Sequence, residues 1–270
     1  MSTLLRVGRN TSGRDLVVGD VHGHLSQLRR QLDTLDFDPA ADRLFFVGDI
    51  VDRGPDGEAL LAMVDQRTCF SVLGNHEAMM IAGYEDASAA ELHRANGGDW
   101  FYRLPEARRR QCVTVARRWP WAIEVETGNG CTGLVHANVP DSNWNEVVRL
   151  LQAMDRRWRD GAPLTEHGVA FAAQRILWNR SLILRFYSEV LESGDNRQRL
   201  EDHLASGDGG REWVAPGPAE LLAPFWITGI DAVCMGHTYV PTAIRVGKCH
   251  FLDSYRGEPG EALSLLCINR

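Results

Sequence analysis

The sequence predicts an α/β (α+β) fold, and two observations carry that reading. The first third of the chain repeats one pattern three times, a β-rich run followed by a polar loop and then a segment of helical periodicity, as βαβ units do. In all three repeats the polar cluster lies just past the carboxyl end of the run, where the loops of an α/β sheet converge and ligands bind. The first unit pairs a strand from Asp15 to Asp20 with a helix from His24 to Leu35, in which Leu25, Leu28, Leu32 and Leu35 recur at helical spacing. The second pairs Arg43 to Asp49 with Asp56 to Gln66, and the third pairs Cys69 to Asn75 with His76 to Ala82.

Further along, Trp121 to Glu126 and Thr132 to His136 read as strands of a hairpin turned at Gly128-Asn129-Gly130. Asp231 to Met235, His250 to Asp253 and Leu263 to Asn269 supply three more β-like runs. Between them, Asn143 to Asp160 and Gly168 to Glu192 are helical in pattern, and a Gly-, Asp- and Pro-bearing loop follows around 205–218. No linker separates two cores and no repeat has a solenoid period, so a single domain over 1–270 is expected, with helical insertions at about 141–174 and 182–230.

Composition narrows the function. Of 270 residues, 44% are hydrophobic and 24% charged, which excludes disorder and a collagen-like chain. A net charge of −7 argues against nucleic acid as the main partner, since neutralising phosphates needs a basic face. Arg108-Arg109-Arg110, Arg117-Arg118 and Arg156-Arg157 with Arg159 read as solvated helix faces. No run approaches the roughly 18 apolar residues of a membrane span, and the opening Met1-Ser2-Thr3-Leu4-Leu5-Arg6 lacks a signal-peptide plan, so a cytoplasmic location without a membrane partner is expected. The six cysteines form no CxxC pair and no zinc spacing. Cys69, Cys234 and Cys249 sit in or beside apolar runs and read as small buried hydrophobes, none with a catalytic part.

The chemistry lies in the strand-end loops. Taken singly, each has a plain structural explanation: Asp20 before a helix is an N-cap, Gly48-Asp49-Ile50-Val51-Asp52-Arg53-Gly54 is a turn, and Glu77 complements a helix dipole. Together they do not, because five separate strand ends terminate in side chains of metal-binding type. Asp20, His22, Asp49, Asn75, His136 and His237 make a mixed oxygen and nitrogen set without thiolate, which suits manganese, iron or zinc. Two ions sharing one carboxylate would activate a water between them and clamp the oxygens of a phosphate ester.

Gly19-Asp20-Val21-His22-Gly23, Gly48 to Gly54, Gly74-Asn75-His76-Glu77 and Gly236-His237-Thr238, in this order and spacing, resemble the phosphoprotein phosphatase branch of the calcineurin-like metallophosphoesterases. The likeness is greatest to bacterial and bacteriophage-lambda-type serine/threonine protein phosphatases, which carry a segment like Trp178-Asn179-Arg180, and it covers about half the chain. It implies a central β-sandwich flanked by helices, with a dinuclear metal site at the carboxyl ends of the strands. Asp20, His22 and Asp49 would hold one divalent ion, and Asp49, Asn75, His136 and His237 the other, with manganese the first choice. His76 would be the general acid oriented by Asp52, and Arg53 and Arg180 would grip the phosphate. The implied reaction is hydrolysis of a phosphoserine or phosphothreonine monoester in a protein or peptide, by direct attack of a metal-bridging hydroxide without a phosphoenzyme.

The chain departs from the pattern at His24, at Ala137-Asn138 and at Asp253-Ser254-Tyr255, none of them an implied ligand. His93, His167, His203 and His250 match no motif and read as surface or core residues. The runner-up within the same superfamily is a symmetrical dinucleoside tetraphosphatase. Those hydrolases resemble this chain in length and in Gly54-Pro55, but typically carry Ala where it has Asp52 and Asp where it has Glu77. A decayed, non-catalytic relative would lack a ligand, and none is missing.

Overall fold

A computed structural model describes residues 2–207, 211–258 and 261–269. Its strands are β1 (Leu4–Val7), β2 (Asp15–Val18), β3 (Arg43–Phe46), β4 (Cys69–Ser71), β5 (Ala122–Thr127), β6 (Gly130–Val135), β7 (Trp213–Val214), β8 (Ala232–Met235), β9 (Ile244–Val246), β10 (Cys249–Phe251) and β11 (Leu265–Cys267). They form two sheets, one in the order β1-β5-β6-β8-β10-β9-β7 and one in the order β11-β2-β3-β4. β2, β3 and β4 are parallel in register, as βαβ units require, and β6, β8 and β10 are parallel in the other sheet.

Side-chain alternation decides what each sheet packs against, because successive residues of a strand face opposite sides. Val17, Phe45 and Phe70 of one sheet join Ile123, Val125, Leu134 and Cys234 of the other in a buried layer between them. Their neighbours Leu16, Val18, Leu44 and Phe46 face outward into a larger core with Leu25, Leu28 and Leu32 of the first helix. With both faces covered, these strands are nearly continuous hydrophobic runs. Phe45 stacks on Phe70 at 4.7 Å between ring centroids, across the β3–β4 ladder.

The helices are α1 (Leu25–Thr34), α2 (Gly57–Met63), α3 (Asn75–Glu85), α4 (Ala87–His93), α5 (Asp99–Arg103), α6 (Glu106–Ala116), α7 (Trp144–Arg159), α8 (His167–Ala173), α9 (Ser181–Arg185), α10 (Asn196–Ala205) and α11 (Ala219–Leu222). The α7 helix falls where the periodicity placed it, and the Asn143 side chain caps it by accepting the Asn145 N–H. The expected helix from Gly168 to Glu192 is instead interrupted at Asn179, whose extended ψ of 137° leaves Arg180 as the N-cap of α9. The expected strands also end earlier, since Gly19-Asp20, Gly48-Asp49 and Gly74-Asn75 leave the ladders. β1, β7, β9 and α4 to α6 went unread, the strands being too short or too mixed in polarity to show a period. The loop expected around 205–218 includes residues 208–210, which lie outside the described residues; within it Trp213 and Val214 pair with β9.

Two other expectations, on the arginine runs and on the cysteines, resolve. Arg108 pairs with Glu58, Arg109 with Glu106, Arg117 with Glu85 and Arg157 with Glu166, so the arginine runs are largely ion-paired helix faces. Trp119 and Trp121 are both core residues, and Trp121 meets Trp158 edge to face. Cys69, Cys234 and Cys249 are buried and free. No helix among the described residues is long and apolar enough to cross a membrane.

Emptying the layer between the sheets should be costly. Phe45→Ala is expected to lower unfolding free energy by roughly 3–5 kcal/mol, read as a reduced denaturant midpoint at unchanged slope.

Candidate metal centre

Five strand ends deliver the side chains that the sequence singled out. β2 runs into Asp20 and His22, β3 into Asp49, Asp52 and Arg53, and β4 into Asn75 and His76 at the start of α3. The other sheet adds His136 after β6 and His237 after β8. Two hydrogen bonds tie the sheets together at this edge: His136 Nδ1 donates to the Val47 carbonyl at 2.7 Å, and the His237 N–H donates to Asp20 Oδ2 at 2.9 Å.

Backbone strain concentrates here. Of the nine non-glycine residues with left-handed φ among the described residues, five are His22, Asp49, Asp52, Arg53 and His237. Such conformations cost about 1–3 kcal/mol each and persist only where the surroundings impose them. For the β3 loop the imposing group is Glu77. Its buried carboxylate accepts the N–H groups of Gly74 and Asp49 on Oε2 at 2.9 and 3.0 Å, and those of Ile50 and Val51 on Oε1 at 2.9 and 3.2 Å. Glu77 therefore clamps the loop that presents Asp49, a larger part than the helix-dipole reading gave it.

The candidate ligands converge on Asp49. Donor atoms of His22, Asp49 and His76 lie within 4.8 Å of one another, and so do those of Asp49, His136 and His237. Asn75 Oδ1 sits 2.8 Å from His136 Nε2 and 2.7 Å from His237 Nδ1, completing the second group. Asp20, expected in the first group, is not part of it as the geometry draws it, where His76 takes that place; the Asp49 charge still reaches Asp20 and helps raise its carboxyl. His22 Nδ1 faces the Val51 carbonyl at 3.1 Å, so as its donor it leaves Nε2 with a free lone pair.

Three observations test whether these residues fit divalent ions. Asp20 Oδ1 is buried without a hydrogen-bond partner, as an oxygen reserved for a cation would be. The strand-end Gly236 leaves room for it, since a Cβ there would collide with that same oxygen. The charges are unbalanced in the same sense: burial, Asp253 and Asp49 push the Asp20 carboxyl up, and burial with Asp49 pushes Asp253 up to about 6. Meanwhile burial takes His22 down to about 3, and burial with the His136 charge does the same to His237, so both imidazoles are neutral as ligation needs. His136 goes the other way, since Asp49 outweighs burial and holds its pKa above the usual value; clustered carboxylates short of positive charge beside two neutral imidazoles fit a divalent pair.

His76 is held differently from His22 and His237. Its Nδ1 is 2.7 Å from Asp52 Oδ2, and its Nε2 is 3.3 Å from Arg53 Nη2. Burial pulls the imidazole toward its neutral form, but Asp49 and Asp52 outweigh it and hold its pKa above the usual value. Burial opposes ionisation of Asp52 too, yet hydrogen bonds from His76 and His93 keep its carboxyl below the usual range. Arg53 and Arg180 are exposed at the rim; Arg180 lies two residues past Trp178, whose carbonyl is 3.2 Å from His237 Nε2.

Sequence reasoning missed two neighbours of Asp52. His93, read as an ordinary surface or core residue, is fully buried against the Asp52 carboxylate, and Trp100 Nε1 donates to Asp52 Oδ1 at 2.7 Å. The available signal was Asn96-Gly97-Gly98, a glycine pair marking close backbone approach between them. Asp253, noted only as a departure from the family pattern, faces the metal cradle electrostatically.

A dinuclear cradle at the carboxyl ends of parallel strands, with guanidinium groups at its rim, defines a metallophosphoesterase, a hydrolase of phosphate esters. The chain belongs to the calcineurin-like phosphoesterase family, whose model matches residues 14–241. It is 38% identical over 148 residues to serine/threonine-protein phosphatase 1 of Salmonella typhimurium strain LT2, covering 53% of this chain and 68% of that one. It is 35% identical over 242 residues to the symmetrical bis(5'-nucleosyl)-tetraphosphatase of Methylococcus capsulatus strain Bath, covering 83% and 78%. In fold it matches a serine/threonine phosphatase from Saccharomyces cerevisiae with a TM-score of 0.56 at 12% identity, over 100% of this chain and 85% of that one.

Because Asp49 belongs to both groups, Asp49→Asn should empty both positions, whereas Asp20→Asn should empty one. Metal analysis of purified, manganese-reconstituted protein should therefore fall from about two ions per chain to near none and to about one, respectively.

Proposed function

We propose that the protein hydrolyses phosphoserine or phosphothreonine monoesters in proteins or peptides. Asp20, His22 and Asp49 would hold one divalent ion, and Asp49, Asn75, His136 and His237 the other. Manganese is our first choice for a mixed oxygen and imidazole set, with iron or zinc as alternatives. When bound, such a pair supplies positive charge to the phosphoryl oxygens and acidifies the attacking water. Arg53 and Arg180 bind the remaining phosphoryl oxygens and orient the ester for in-line displacement, a task suited to the planar guanidinium. His76, held on Nδ1 by Asp52, gives its Nε2 proton to the departing oxygen.

The observation that carries this reading is the 2.7 Å pairing of His76 with the buried Asp52. A serine or threonine alkoxide is a poor leaving group and needs a proton as the bond to phosphorus breaks. A phosphate leaving from a polyphosphate chain departs readily without one. A strongly supported acid therefore favours the monoester. The second reading, a dinucleoside tetraphosphatase, draws support from the long alignment with the Methylococcus capsulatus enzyme.

Turnover of chelator-stripped protein restored with manganese, on a phosphoserine peptide and on diadenosine tetraphosphate side by side, should favour the peptide. Preference for the dinucleotide would replace this reading with the second. Asp52→Asn should lower kcat on the peptide by on the order of 10²–10⁴ while metal content stays at about two ions per chain; loss of metal would make Asp52 part of the cradle instead.

A further inference from the structure

We propose that His93 and Trp100 are positioning residues for the acid pair, holding the Asp52 carboxylate in the one rotation that aims His76 at the departing oxygen. The inference rests on the reading of His76 as the acid. A carboxylate offers about four acceptor positions on two oxygens, and a buried one has no water to fill them. Asp52 has no exposed surface. Trp100 Nε1 takes Oδ1 at 2.7 Å, His76 Nδ1 takes Oδ2 at 2.7 Å, and His93 Nε2 lies 3.1 Å from both. With one oxygen claimed by an indole that donates only and the imidazole bridging both, rotation of the carboxylate would break three contacts together.

The segment from His93 to Tyr102 is built to make those contacts. His93 Nδ1 meets the Tyr102 hydroxyl at 3.1 Å, and Arg94 lies over the Tyr102 ring at 3.9 Å while pairing with Asp99. The chain passes so close to the His93 ring at Gly98 that a Cβ there would overlap it. The backbone is engaged as well, since the Arg53 N–H donates to the Gly97 carbonyl at 3.2 Å. Asp52 and Arg53 have φ of 70° and 64°, consecutive left-handed residues that need such a hold. One segment thus fixes both the residue behind the acid and the arginine beside it.

The test is leaving-group dependence, which packing alone does not move. Trp100→Phe keeps the ring but removes the donor, His93→Leu removes the other donor, and His93→Gln restores one. The variants are assayed as manganese-loaded full chain on a phosphoserine peptide and on p-nitrophenyl phosphate, whose leaving group needs no proton, with His76→Asn as reference. Trp100→Phe and His93→Leu should lower kcat on the peptide by roughly 10- to 100-fold at little-changed KM. Turnover of p-nitrophenyl phosphate should fall by less than about threefold, and His93→Gln should recover most of the peptide rate. Should His93→Leu not fold, Trp100→Phe, at a half-buried site, decides the matter. Equal losses on both substrates, or none, while His76→Asn is selective would overturn the positioning role alone. A His76→Asn variant without selectivity would overturn the acid assignment and this inference with it.

Discussion

The Asp49 carboxylate is the charge around which the site is built. It is buried where the two sheets meet, and burial by itself would drive it to its neutral form. His136 and His76 flank it and hold its carboxyl well below the usual range. The His76 N–H donates to its Oδ1 at 2.9 Å, and His136 Nε2 lies 3.3 Å from its Oδ2. Each of these contacts comes from a different strand end, so closure of the sandwich and assembly of the site are one event.

The same charge explains the strain. Bringing carboxylates from adjacent strands together requires the chain to turn sharply just past each ladder, and left-handed residues are how it does so. Glu77 binds the N–H groups of one such loop, and the segment from His93 to Tyr102 supports the next part of it. Buried carboxylates with too little countercharge destabilise the protein until a cation arrives, and binding the cation then stabilises the folded state by linkage. A cradle of this kind is selected for what it holds rather than for the stability of the empty fold.

Two kinds of work are separated in space. Ligand residues from both sheets lie buried at the seam, whereas Asp52, His76 and Arg53 form a short path from the core to the rim, ending in an exposed guanidinium. The buried end keeps water from competing for Asp52, and the exposed end faces solvent.

Much of this was legible in the chain. Parallel β2, β3 and β4 follow from apolar runs that are buried on both faces, and the six candidate ligands follow from polar residues placed at strand ends, where periodicity alone locates them. The break at Asn179, the short edge strands and the partners of Asp52 were not legible, because none follows from local pattern. His93 and Trp100 lie 41 and 48 residues beyond Asp52. The sequence by itself determined which side chains stand at which strand ends, since β-period and turn chemistry are local properties. Only the tertiary structure decided that those ends meet on one carboxylate, and that an unremarkable histidine and tryptophan close behind it, since hydrogen-bond partners at such separations are set by packing.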